Sequence, residues 1–116
     1  MSRYCLTVDL KDDPALIQQY EDYHKKVWPE ILQSLTDSGI LSMEIYRLRT
    51  RMFMIIETKD DFSFEKKSAM DLANPKVQEW EKLMSQFQQS LPWENPDDPW
   101  KWKLIDKVFD FVSNGH

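Results

Sequence analysis

The stretch ILSMEIYRLRTRMFMIIET, residues 40–58, decides how this chain folds. Residues 40–48 and 51–58 are rich in Ile, Tyr and Phe, which suit a pleated, half-buried surface, and both read as strands. Only Arg49 and Thr50 separate them. Parallel neighbours need a crossover of a dozen or more residues, so the link points to an antiparallel hairpin. It does so without the Asn-Gly pair that usually marks such a turn.

Working outward from the hairpin fixes the order of the other elements. Before it, Gly39 suits the stop of a short helix opened by Pro29 and carrying Ile31, Leu32 and Leu35. Earlier still, Leu16, Ile17, Tyr20, Tyr23, His24 and Val27 recur at helical spacing, and Asp12 or Asp13 before Pro14 supplies the helix start. Pro29 disfavours helical geometry at Trp28, so the first helix ends or kinks there. The N-terminal RYCLTVDL, residues 3–10, alternates: Tyr4, Leu6, Val8 and Leu10 point one way, Cys5, Thr7 and Asp9 the other, which is a strand. After the hairpin a helix is predicted over 62–73. Asn74-Pro75 restarts a helix over 75–89, with Val77, Trp80, Leu83, Met84 and Phe87 as its apolar face. The proline-rich segment 90–101 is a loop. WKWKLIDKVFDF, residues 100–111, is predicted as the last strand.

Strand, helix, strand, strand, helix, strand is the split βαβ order of a ferredoxin-like α+β fold with a four-stranded antiparallel sheet. Helices cover one face of such a sheet. The other face also carries apolar residues, Phe53 and Ile55 or Phe109 and Phe111 depending on register. A second copy of the chain is the expected cover, giving a symmetric dimer; the competing cover is the 90–101 loop.

The 116 residues suit one domain, 1–116. A net charge of −5 argues against nucleic acid, whose phosphates reward basic surfaces. Cys5 is the only cysteine, which rules out an internal disulfide and a Cys-based zinc site and fits a reducing cytoplasm. The N-terminus lacks a signal-peptide core, and no apolar run approaches the ~20 residues that span a bilayer. With only two glycines there is no phosphate-cradling loop, and no Gly-x-Ser-x-Gly elbow is present. The acidic pairs Asp12-Asp13, Asp60-Asp61 and Asp97-Asp98 sit where solvation and capping explain them. Five tryptophans are the unusual feature. Trp is as useful for stacking on flat apolar faces as for filling a core.

That leaves His24 in YEDYHKKVWPE, residues 20–30. Its i,i+4 partner Tyr20 shares its helix face. A helix C-terminus favours the protonated ring by up to ~1–2 kcal/mol, and an ordinary imidazole pKa near ~6.5 suits proton transfer at neutral pH. The competing reading is a structural or surface histidine.

These residues resemble a family. Tyr20-Glu-Asp-Tyr-His24 followed by Val27-Trp28-Pro29-Glu30 resembles the Tyr-x-x-x-His…(Ile/Val)-Trp-Pro-Glu stretch of the L-rhamnose mutarotases. Ser38-Gly39 with Ile45-Tyr46, Met52 to Glu57, Val77-Gln78-Glu79-Trp80 and Val108-Phe109 follow the family in order and spacing, over essentially the whole chain. The resemblance implies a dimeric α+β barrel and a cytosolic enzyme that acts on a monosaccharide without a cofactor or metal. It implies that His24 is the proton donor and that Tyr20, Trp80 and Glu81 contact the sugar. Trp80 would stack on the sugar and Glu81 would accept its hydroxyls.

Two positions depart from the family. Rhamnose-processing members carry Tyr where Met43 stands, and Trp-Trp where this chain has Trp80-Glu81, both sugar-contact positions in the family. The reaction therefore carries over better than the substrate, and L-fucose is a candidate beside L-rhamnose. Tyr46 is read as strand packing, and at least two of Trp93, Trp100 and Trp102 as anchors of the loop. Two other functions share the architecture by analogy: a cofactor-less or haem-handling monooxygenase, and a non-catalytic sugar-sensing module.

Overall fold

A computed structural model describes residues 1–112. Its elements are β1 (Ser2–Leu10), α1 (Pro14–His24), α2 (Pro29–Asp37), β2 (Ile40–Leu48), β3 (Arg51–Thr58), α3 (Phe64–Leu72), α4 (Pro75–Ser85), β4 (Gln88–Gln89) and β5 (Lys103–Ile105). All strand pairs are antiparallel, in the order β2-β3-β1, and both β4 and β5 pair with the free edge of β1. This is the ferredoxin-like α+β fold expected from the order of elements.

Local chemistry explains the helix boundaries. The Asp13 carboxylate accepts from the amides of Ala15 at 2.9 Å and Leu16 at 3.3 Å, and Pro14 fills the first helical position of α1. α1 stops at His24, short of the proline: the amides of Lys25 and Lys26 bond back to the carbonyls of Asp22 and Tyr23, tightening the last turn. Pro29 opens α2 behind Trp28, which is held extended. Gly39 closes α2 at φ 93°, a left-handed conformation that other residues adopt only at a cost.

The hairpin turn is two residues long, because Leu48 pairs with Arg51. Arg49 takes the positive φ of 54° that Gly or Asn would ordinarily supply, at a cost of about 1 kcal/mol. The Arg47 guanidinium donates to the Arg49 carbonyl at 2.8 Å and so braces the turn. At the other end of β2 a bulge shifts the register between Ile40 and Ser42. Ile40 and Met43 are an odd number of residues apart, so a regular strand would point them to opposite faces. The bulge turns both toward the helices.

The fourth strand differs from expectation. α4 ends at Ser85, not at 89, and Gln88-Gln89 instead pair with Asp9 and Leu10. Of residues 100–111 only Lys103–Ile105 pair, against Cys5 to Thr7. In that register Val108 would already lie opposite Ser2, at the end of β1, so a strand reaching 111 would have nothing to bond to. Phe109 and Phe111 stand outside any strand and are exposed, not on the sheet as expected.

Leu6, Val8 and Leu10 of β1 and Met52 and Ile56 of β3 form the floor of the core, closed from above by side chains of α1, α2 and α4. The sheet's other face carries Thr7, Phe53 and Tyr46 in one row and Ile105, Cys5, Ile55 and Glu44 in the next. No helix covers it among the described residues. Tyr46 donates to Glu44 at 2.7 Å on this face, so it belongs to the strand surface and not to the interior.

Candidate active site

Between the helices and the sheet lies a cavity of about 510 Å³. This is within the usual range of about 300–1,000 Å³ for small-molecule sites. Met43, Ile45, Met54 and Ile56 form its sheet side. All five residues named from the sequence line it: His24 and Tyr20 from α1, Met43 from β2, and Trp80 and Glu81 from α4. A second depression, of about 620 Å³, lies along Gln19, Tyr23 and Trp28, and includes neither His24 nor Glu81.

His24 is held on three sides. Its Nδ1 lies 2.8 Å from the Tyr20 carbonyl oxygen. A carbonyl only accepts, so Nδ1 carries the hydrogen and donates, leaving Nε2 as the free nitrogen. The ring lies over Tyr20, with centroids 4.3 Å apart and planes at 32°, and meets Trp80 edge-on at 5.6 Å. Burial holds its pKa below the ordinary imidazole value, outweighing the Tyr20 carbonyl, which favours the charged form. The protonated state expected from the helix end is therefore overridden by desolvation. At neutral pH the ring rests neutral, with a basic Nε2.

Tyr20 is 4% exposed. Burial pushes its hydroxyl up to about 12, partly offset by a hydrogen bond with Gln88, so it stays protonated and able to donate. Trp80 is 9% exposed and packs edge-to-face with Trp28 at 5.0 Å and Tyr23 at 6.4 Å. Its neighbours leave only a narrow strip for the cavity, so it acts first as the wedge that fixes His24. The half-buried Met43 faces the helices because the hairpin register pairs it with Ile56.

Glu81 sits beside two residues that the sequence reading did not single out, Lys67 and Asp71 of α3. Lys67 Nζ reaches Asp71 Oδ2 at 2.5 Å. Gln78 Nε2 donates to the Asp71 carbonyl oxygen at 2.9 Å, tying α3 to α4, and lies 3.4 Å from Glu81. Burial, then the negative charge of Asp71, raises the Glu81 pKa above the usual carboxylate value. The only local signal in the sequence was the i,i+4 spacing of Lys67 and Asp71, which ordinarily marks a solvated helix face.

Trp100 and Trp102 also line the cavity, together with Pro99 and Lys101. Trp102 is buried in the core as well, while Trp93 stays outside and stacks on Arg51 at 5.3 Å. Two of the three tryptophans thus face the cavity, against the expectation that at least two only anchor the loop. Segment 99–102 closes this side of the sheet, while Trp93 of the same loop reaches only the Arg51 end of the other face.

A half-buried imidazole with one free nitrogen, in a largely apolar cavity of a ferredoxin-like α+β fold, is a group chemically suited to proton transfer. The chain belongs to the L-rhamnose mutarotase family, whose sequence pattern matches residues 3–111. It is 42% identical over 111 residues to the L-fucose mutarotase of Xanthomonas campestris, covering 94% of this chain and 87% of that protein. It is 30% identical over 99 residues to the L-rhamnose mutarotase of Phocaeicola vulgatus, covering 83% and 88%. The fold matches the crystal structure of an L-rhamnose mutarotase from Formosa agariphila with a TM-score of 0.70 and 21% identity, over 97% of this chain and 100% of that one.

Proposed function

We propose that this protein is a mutarotase that interconverts the α and β anomers of a 6-deoxy-L-hexose, with L-fucose favoured over L-rhamnose. The observation that carries the reading is His24, a residue lining the cavity whose Nδ1 is tied to the Tyr20 carbonyl, which leaves Nε2 free. Interconversion needs one proton removed from the anomeric hydroxyl and one delivered to the ring oxygen. The ring then opens to the aldehyde, the C1–C2 bond turns, and closure on the other face reverses both transfers.

Because His24 rests neutral, it first acts as the base, taking the anomeric proton at Nε2. It then becomes the donor of the family pattern when it returns that proton on closure. A second group or a water serves the ring oxygen. General acid–base catalysis of this kind supplies about 100- to 10,000-fold. Tyr20, protonated up to about 12, is a hydrogen-bond donor to the sugar and not a second base.

The preference for L-fucose rests on Met43 and Glu81, which replace the Tyr and Trp of rhamnose-processing relatives, and on the higher identity to the fucose enzyme. Dimerisation through the open sheet face belongs to the same reading, supported by Phe53, Ile55, Cys5 and Ile105 lying side by side there. A cytoplasmic home is supported by the lone thiol of Cys5.

The test is saturation-transfer NMR on the anomeric protons of L-fucose, L-rhamnose and ordinary hexoses, with and without the protein. Exchange accelerated for a 6-deoxy-L-hexose supports the reading, and unchanged exchange for every sugar refutes it.

A further inference from the structure

We propose that Lys67 and Asp71 are specificity-determining residues: the pair forms, beside Glu81, a charged receptor for ring hydroxyls remote from the anomeric carbon. The inference rests on the mutarotase reading of the cavity.

The pair is a poor device for stability. Asp71 is 8% exposed, and the Lys67 side chain 19%. Removing two charges from water costs several kcal/mol, and apolar residues of similar volume often serve a fold as well or better. Its position is informative too. Both side chains line a cavity whose other walls are mostly Met, Ile, Leu, Val and Trp. Polar groups that converge in an otherwise apolar site set the orientation and choice of ligand.

Its unused bonding capacity indicates what the pair takes. Lys67 occupies Asp71 Oδ2, and among the described residues no donor reaches Oδ1. Among the described residues no fully enclosed side-chain oxygen or nitrogen lacks a partner, so Oδ1 keeps an opening to solvent, on a residue that lines the cavity. An ammonium has three hydrogens, and Lys67 spends one on Asp71. A carboxylate oxygen beside an ammonium hydrogen matches a hydroxyl, which donates to one and accepts from the other. Two neighbouring hydroxyls of a sugar ring satisfy both groups and Glu81 as well. A purely apolar ligand would leave these charges desolvated and unpaired.

His24 handles the anomeric end; it comes from α1 and meets Trp80 of α4, whereas the pair comes from α3 and lies beside Glu81. The hydroxyls that meet the pair are therefore those further round the ring. The 6-methyl group then falls against the apolar sheet side, Met43, Ile45, Met54 and Ile56. Positions of this kind distinguish epimers, because a hydroxyl moved to the other ring face leaves the pair unsatisfied.

The experiment compares wild type with Lys67→Met/Asp71→Leu, an apolar exchange of similar volume, and with Asp71→Asn, which keeps the shape and removes one charge. Folding is checked by circular dichroism and Tm. KM and kcat for L-fucose and L-rhamnose come from anomeric exchange, and direct sugar binding from saturation-transfer difference NMR.

The proposal expects folded variants with KM raised about ten- to hundredfold, kcat changed less than about threefold, and the preference between the two sugars flattened. A folded variant with wild-type KM and preference overturns it. If the double variant does not fold, Asp71→Asn carries the same readout; a lowered Tm with unmoved KM assigns the pair a structural role and overturns the proposal. Failure of wild type to accelerate either sugar refutes the mutarotase reading itself. The binding comparison then still decides whether the pair holds a sugar.

Discussion

Tyr20 provides a prediction whose size follows from its burial. Its hydroxyl is pushed up to about 12 in the folded protein, against the ordinary value of 10.0 expected when unfolded. The unfolded chain therefore loses this proton first as pH rises. Stability is fully present below pH 10 and is lost progressively until pH reaches the folded value. At pH 11 the unfolded form gains roughly a factor of ten, or about 1.4 kcal/mol; well above pH 12 the loss approaches about 3 kcal/mol.

Other tyrosines and lysines titrate in this range too, so the quantity to measure is a difference. Urea unfolding of wild type and Tyr20→Phe at pH 8.5 and pH 11 isolates it. The variant loses the Gln88 hydrogen bond and is less stable at pH 8.5, by about 1 kcal/mol. Between the two pH values, wild type falls further than the variant by about 1.4 kcal/mol. Equal losses in the two proteins would refute the claim that Tyr20 is a desolvated, protonated donor in the wall of the cavity.

His24 makes the opposite prediction. Its folded pKa is depressed by burial, so both activity and stability hold above the unfolded value near 6.5 and decline as pH falls below it. The pH profile of anomer exchange is expected to be flat from 7 to 8.5 with a single acid limb below 6.5; a limb above 7 would contradict the neutral resting state. Trp80→Ala removes the wedge against His24, Trp28 and Tyr23 and is expected to cost about 3–5 kcal/mol in denaturant unfolding. Phe53→Asp places a charge in the middle of the open sheet face. It is expected to shift a dimer to monomer in analytical ultracentrifugation; an unchanged sedimentation coefficient at dimer mass would remove that face from the interface.

The elements that local chemistry determines were legible in the sequence. Alternation in residues 3–10, the Asp-Pro and Asn-Pro helix starts, Gly39 and the short Arg49-Thr50 link all did in three dimensions what their chemistry predicts. The grouping of Tyr20, His24, Met43, Trp80 and Glu81 came from the family resemblance, and all five line one cavity. What was not legible depends on partners distant in sequence. The fourth strand was misread because Gln88-Gln89 and Lys103–Ile105 share one edge of β1, a competition that no local window contains. The β2 bulge left no composition signal, yet it decides that Ile40 faces the helices together with Met43. The direction of the His24 shift was not legible because the helix end acts locally while part of the burial comes from Trp80 of another helix. Lys67 and Asp71 looked like an ordinary surface pair until α4 covered them.

The central claim is that His24 moves the proton. Anomeric exchange of L-fucose at pH 7.5, recorded for wild type and for His24→Ala at matched concentration, tests it most directly. The account predicts clear acceleration by wild type and a loss of about 100-fold or more in the variant, with the circular dichroism spectrum unchanged. A folded His24→Ala protein that exchanges anomers at the wild-type rate would contradict it.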